Sequence, residues 1–141
     1  MTMLNVKTGA TTAMTIDSNN TRTVLIVEDE VDVRHLMTVV LQRAGYDVIS
    51  VSNLAEARAA LTLYTFQAAV IDLCLPDGRG DEVAALIREQ HRATRIVMTS
   101  AFAHASLMLQ VAADAGDTFV PKPFRNSDLV AALTAPPSPA I

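Results

Sequence analysis

Four apolar stretches of this 141-residue chain each run into residues able to handle a metal ion or a phosphoryl group. Val24-Leu25-Ile26-Val27 leads into Glu28-Asp29-Glu30, Ala68-Ala69-Val70-Ile71 into Asp72, Ile96-Val97-Met98-Thr99 into Ser100, and Phe119-Val120-Pro121 into Lys122-Pro123. Glu28, Asp29 and Asp72, if brought together, repel one another and need a cation. A partly hydrated site of oxygen ligands suits Mg²⁺. A carboxylate such as Asp72 can also attack phosphorus and give an acyl phosphate. Three transferring oxygens would then need cover: one from the metal ion, one from Lys122, one from the Ser100 hydroxyl with nearby backbone N–H groups. Thr99 is a rival hydroxyl, because pleat alternation lets only one of the two face the site. Each residue also has a plainer reading. The acidic run can end a strand and cap a helix, Ser100 can cap the next helix, and lysines usually lie on the surface.

The elements that must position these groups alternate. Val33, Leu36, Met37, Val40, Leu41 and Ala44 form an apolar stripe at helical period after Asp32, stopped by Gly45. Asp47–Val51 reads as a strand, and Asn53 can cap a helix to about Tyr64 that turns Leu54, Ala57, Leu61 and Tyr64 inward. A strand ends at Asp72, and Pro76-Asp77-Gly78-Arg79-Gly80 carries loop chemistry. A helix over 81–90 buries Val83, Leu86 and Ile87; then follow a strand over 95–99, a helix over 105–115, a strand over 118–121 and a helix over 127–134. Lys122 precedes a proline, and X-Pro bonds are the ones that adopt cis geometry readily.

The pattern βαβαβαβαβα predicts an α/β fold, a doubly wound five-stranded parallel sheet with helices on both faces. Right-handed crossovers favour the strand order 2-1-3-4-5. The four chemistry-bearing strand ends then meet in one crevice, where such sheets place their ligands.

Bulk properties narrow the function. Half the residues are hydrophobic, with no Trp and 4% aromatics, so the core is aliphatic. A net charge of −4 argues against nonspecific nucleic-acid binding. A single cysteine excludes an internal disulfide and points to a reducing compartment. No apolar run reaches a membrane span and no signal pattern opens the chain, so a cytoplasmic location without membrane contact is expected. Residues 1–22 read as a disordered leader, 23–135 as the folded unit and 136–141 as a Pro-rich tail.

Val24-Leu25-Ile26-Val27-Glu28-Asp29-Glu30, Asp72-x-x-Leu75-Pro76-x-x-x-Gly80, Thr99-Ser100-Ala101 and Phe119-Val120-Pro121-Lys122-Pro123-Phe124 together resemble the receiver domain of bacterial two-component response regulators, over about residues 22–135. The resemblance implies the (βα)5 flavodoxin-like fold, so the strand order above rests partly on analogy. It further implies that Asp72 is the phosphoacceptor, charged by a histidine kinase or a histidine phosphotransfer protein. Glu28 and Asp29 would be the acidic pair for Mg²⁺, with Asp29 a direct ligand and the Cys74 backbone carbonyl completing the set. Ser100, 22 residues before Lys122, would be the switch hydroxyl. Lys122 would pair with the phosphoryl group, and Phe119 would be the aromatic that turns inward when Ser100 moves. Such a domain signals rather than turning over a substrate.

Two positions depart from the family's common polar choices: Cys74 and Phe102. Phe102 is expected to shield the phosphorus from water, and Cys74 to be a small buried hydrophobe. The uncharged segment Ala105–Ala113 is expected to expose Leu107 or Leu109 as a contact face for a downstream protein or a homodimer. A stand-alone regulator is the expected form. A fragment of a larger regulator or hybrid kinase, or a phosphorylation-independent interaction module, is the alternative. A flavin carrier on the same fold would not place Glu28-Asp29-Glu30 at its phosphate loop. An aspartate phosphatase would want a second Asp where Cys74 stands.

Overall fold

Runs of Val, Ile, Leu and Ala four or five residues long are short enough to be strands and apolar enough to be covered on both sides. They become the centre of a parallel sheet. The computed structural model describes residues 22–101, Ser106, Gln110 and 117–134. The strands are β1 (Thr23–Val27), β2 (Asp47–Val51), β3 (Ala68–Asp72), β4 (Arg95–Ala101) and β5 (Thr118–Lys122). All pair in parallel, in the order β2-β1-β3-β4-β5. This is the expected topology, and every residue of β1 and β3 is buried.

The described helices are α1 (Val31–Arg43), α2 (Leu54–Leu63), α3 (Asp81–Gln90) and α4 (Asn126–Thr134). None of them is long and apolar enough to cross a membrane. Strand alternation splits the core in two. Leu25, Val27, Ile71 and Met98 face one side with Leu54, Ala57, Val83 and Ile87 of α2 and α3. Val24, Ile26, Val70 and Val97 face the other with Met37 and Leu41 of α1 and Leu129 and Leu133 of α4. Each fully buried aliphatic side chain contributes about 2 kcal/mol of transfer free energy.

Local signals behave largely as their chemistry dictates. The Asn53 side chain accepts from the Glu56 N–H at 2.8 Å and starts α2. Gly45 takes φ +99°, a left-handed conformation that ends α1 without the Cβ penalty. The Lys122–Pro123 peptide bond is cis.

Four expectations need correction. Leu36 is 48% exposed. It lies at the flank of the α1 stripe, whose centre, at Met37, is what reaches the sheet. Cys74 is exposed, because Leu73 and Leu75 on either side take the inward positions. The 76–80 loop is the tip and second arm of a small antiparallel hairpin, Cys74–Leu75 against Gly78–Arg79. β4 runs on to Ala101, so Thr99 and Ser100 both lie inside the strand. The expected helix over 105–115 falls outside the described residues, except that Ser106 and Gln110 are helical and exposed. The leader up to residue 21, the tail, Phe102, Leu107 and Leu109 also lie outside them.

Candidate metal and phosphoryl site

Glu28 continues the parallel ladder one step past β1: its N–H donates to the Val51 carbonyl at 3.0 Å. Alternation puts its side chain on the α1/α4 side of the sheet, where it is 1% exposed. Asp72, the last residue of β3, follows the same parity and is also buried. Lys122, the last residue of β5, reaches both. Its Nζ lies 2.7 Å from Glu28 Oε1 and 3.0 Å from Asp72 Oδ2. The Asp72 contact is a hydrogen bond; the Glu28 contact is a close ion pair poorly aligned for one. Asp29 follows in the turn and is exposed. Carboxylate oxygens of Glu28, Asp29 and Asp72 all lie within 4.8 Å of one another.

The capping account of the acidic run fails here. Glu30 is the N-cap of α1, yet its side chain makes no capping bond. Instead the Glu30 N–H donates to Glu28 Oε2 at 3.2 Å. Ser100 lies inside β4, which removes its capping role as well. Lys122 is half-buried and paired, not a surface lysine.

The electrostatics of the cluster favour a cation. Three carboxylates face one ammonium, an excess of negative charge in a partly buried volume. Burial pushes the Glu28 carboxyl above its usual range; the close Lys122 ammonium opposes this and the neighbouring Asp72 charge adds to it. Burial alone would lower Lys122, but the close Glu28 carboxylate and the Asp72 contacts outweigh it and hold the ammonium above its ordinary value. A hard divalent cation fits this oxygen-only donor set, with Glu28, Asp29 and Asp72 as the side chains able to hold it. The Cys74 N–H donates to Asp72 Oδ1 at 3.3 Å, which fixes the second carboxylate oxygen and brings the Cys74 backbone to the site.

The two candidate hydroxyls separate by face. Thr99 is the register partner of Asp72 and shares its side of the sheet. Ser100 points to the α2/α3 side, the side against which Phe119 packs, half-buried. Both hydroxyls are fully buried, without a hydrogen-bond partner among the described residues. Orphaned buried hydroxyls are uncommon; here two stand in succession at the end of β4.

Three contributors were missed in the sequence. Arg34 Nη1 donates to the carbonyls of Glu28 at 2.9 Å and Asp29 at 3.4 Å, pinning the acidic turn. Its signal was a cation one turn into α1. Gly80 lies so close to Asp72 that a Cβ there would strike the Asp72 carbonyl. Asp77 accepts from the Leu54 N–H at 2.8 Å and the Ala55 N–H at 3.1 Å, tying the hairpin to the start of α2. The Asp77 contacts join residues 23 and 22 positions apart, and nothing local announces them; Gly80 stands in the motif that follows Asp72, which did not disclose the close approach.

Comparison with known proteins matches residues 24–134 to the response regulator receiver domain. The chain is 33% identical over 99 residues to the response regulator protein PilR of Pseudomonas aeruginosa, covering 70% of this chain and 22% of that protein. It is 33% identical over 121 residues to the transcriptional regulatory protein GltR of the same organism, covering 84% of this chain and 50% of that protein. The chain thus spans half or less of these relatives. A CheY-like receiver domain from Methanospirillum hungatei superposes with a TM-score of 0.74 at 22% identity, over 82% of this chain and 92% of the other. A Burkholderia pseudomallei response regulator, solved with a phosphorylated aspartic acid, a calcium ion and citrate, superposes with a TM-score of 0.67 at 25% identity, over 81% and 67%. Since the family match spans most of the sequence and the sheet carries the family's topology, this chain belongs to the receiver domains of two-component response regulators.

Proposed function

We propose that Asp72 accepts a phosphoryl group from a phosphohistidine, on a histidine kinase or a histidine phosphotransfer protein, in a Mg²⁺-dependent step that switches a partner-binding surface. One Asp72 carboxylate oxygen attacks phosphorus, the P–N bond breaks, and its electron pair stays on the imidazole. The observation that carries this reading is the Lys122 ammonium 3.0 Å from Asp72 Oδ2, beside a three-carboxylate cluster within 4.8 Å. Lys122 is placed to neutralise a phosphoryl oxygen, and Glu28, Asp29 and Asp72 would hold the cation, with the Cys74 carbonyl as a further ligand. The ion supplies charge neutralisation to the transferring oxygens. The phosphorylated aspartic acid and calcium ion of the Burkholderia pseudomallei relative support the same chemistry.

Ser100 is the proposed switch hydroxyl. Its hydroxyl leaves the sheet on the side opposite the Asp72 side chain, so the end of β4 would turn to bring it to the new phosphoryl oxygens, and the half-buried Phe119 on the Ser100 side would take the freed space. The downstream target is a protein. The action is signalling in the cytoplasm, by this domain alone or as part of a larger regulator like its relatives.

Incubation with Mg²⁺ and acetyl phosphate, followed by intact-mass measurement, tests the reading. The expected result is one added phosphoryl group, absent in Asp72→Asn. No addition to the wild type, or an addition that survives in Asp72→Asn, overturns it.

A further inference from the structure

A polar cavity lies at the other end of the sheet from Asp72. Its volume is about 480 Å³, within the roughly 300–1,000 Å³ of small-molecule sites. Its walls come from the N-terminal ends of three strands and the end of α3. Gln67 immediately precedes β3, Arg95 opens β4 and Thr118 opens β5. Arg88 comes from the last turn of α3, and Arg92 from the loop that follows.

The charge balance here is opposite to that of the whole molecule. The chain carries 15 acidic against 11 basic side chains, yet this cavity gathers three guanidinium groups and one carboxylate. That carboxylate, Asp117, is spent: its side chain is 6% exposed and its Oδ2 takes a hydrogen bond from Arg88 at 2.8 Å. Arg88 also complements the carbonyl end of α3. Arg92 and Arg95 make no ion pair among the described residues. The Thr94 hydroxyl is occupied by the Phe66 carbonyl at 2.7 Å, so it does not compete for a ligand. The Gln67 side-chain amide and the Thr118 hydroxyl make no hydrogen bond among the described residues and lie on the same walls.

We infer that this cavity binds a phosphate-bearing small molecule of nucleotide size, held by Arg92 and Arg95 through its phosphate oxygens. The planar fork of a guanidinium matches two oxygens of one phosphate, which is why arginine serves this recognition better than lysine. A single orthophosphate would leave most of the volume empty. A phosphate chain carrying a further group would fill it and would meet the Gln67 amide and the apolar surface of Ile96 and Leu133. The site is separate from the phosphoacceptor and does not depend on that reading. It opens onto the first residue of β5, the strand that ends in Lys122, so occupancy would bear on the same strand from its opposite end.

The test uses the full chain with EDTA present, so that the Glu28–Asp29–Asp72 cluster holds no divalent ion. Pyrophosphate and ADP are titrated while backbone amide shifts are followed by NMR. Saturable shifts centred on Gln67, Arg95 and Thr118 are expected, with affinity reduced at least tenfold in the Arg92→Ala/Arg95→Ala double variant. That variant should keep the wild-type circular dichroism and thermal midpoint. Three results would overturn the inference: shifts that never saturate, shifts centred on Glu28, Asp72 and Lys122, or equal affinity in the double variant. Capture of an acidic peptide with no response to either phosphate compound would overturn it too, since the site would then read a protein.

Discussion

Asp72 and Thr99 are register partners across the β3–β4 seam, and their side chains leave the sheet on the same side. The Thr99 hydroxyl is nevertheless fully buried and without a partner among the described residues. Replacing an unsatisfied buried hydroxyl by a methyl of the same shape removes a desolvation cost with no loss of bonding. Thr99→Val is therefore expected to stabilise the unphosphorylated protein by about 1 kcal/mol. Urea unfolding measures this directly. A lower midpoint in the variant would mean that the hydroxyl is bonded, for example to a buried water.

Lys122 is the only ammonium touching two buried carboxylates among the described residues. Removing it leaves Glu28 and Asp72 charged and uncompensated, at a cost of about 3 kcal/mol. Lys122→Ala should lose that much stability in metal-free buffer and recover part of it on addition of Mg²⁺. The wild type should itself gain about 1.4 kcal/mol at an ion concentration tenfold above its Kd. A gap between the two proteins that Mg²⁺ leaves unchanged would rule out a shared carboxylate site.

Gly80 has an ordinary right-handed φ of −62°, so its need for glycine is one of space. A Cβ there would collide with the Asp72 carbonyl and come within 2.7 Å of Ile71 Cγ2. Backbone cannot yield as a flexible side chain does. Gly80→Ala should destabilise by about 3 kcal/mol and displace Asp72, so that Mg²⁺ no longer raises the melting midpoint. A variant with wild-type stability and Mg²⁺ response would show that the loop relaxes freely.

Asp77 links the hairpin to α2 through charge. The Leu54 N–H, then the Ala55 N–H, hold its carboxyl below the usual carboxylate range. A carboxylate depressed in the folded state stabilises fully above its unfolded value, and that contribution disappears as pH falls through the folded one. Asp77→Ala should therefore melt below the wild type at neutral pH, with the difference closing as the buffer is acidified. A difference that widens in acid would contradict this linkage.

Much of the architecture was already written in local pattern. The apolar runs 24–27 and 68–71 admit only buried strands, and Asn53 and Gly45 mark helix ends by their own side-chain and backbone chemistry. The site's inventory, Glu28, Asp29, Asp72 and Lys122, was legible because each stands directly after an apolar strand and a parallel sheet must bring such ends together. What the chain could not disclose were consequences of packing between distant segments. Whether Leu36 lies under or beside the core depends on where α1 settles. Cys74 turns outward because Leu73 and Leu75 claim the interior. The separation of Thr99 from Ser100 by sheet face follows from the register of β3 against β4, as the space that Gly80 must leave empty follows from the Asp72 carbonyl. Sequence period fixes which residues share a face, whereas register and close approach are set only when independent segments compete for the same volume.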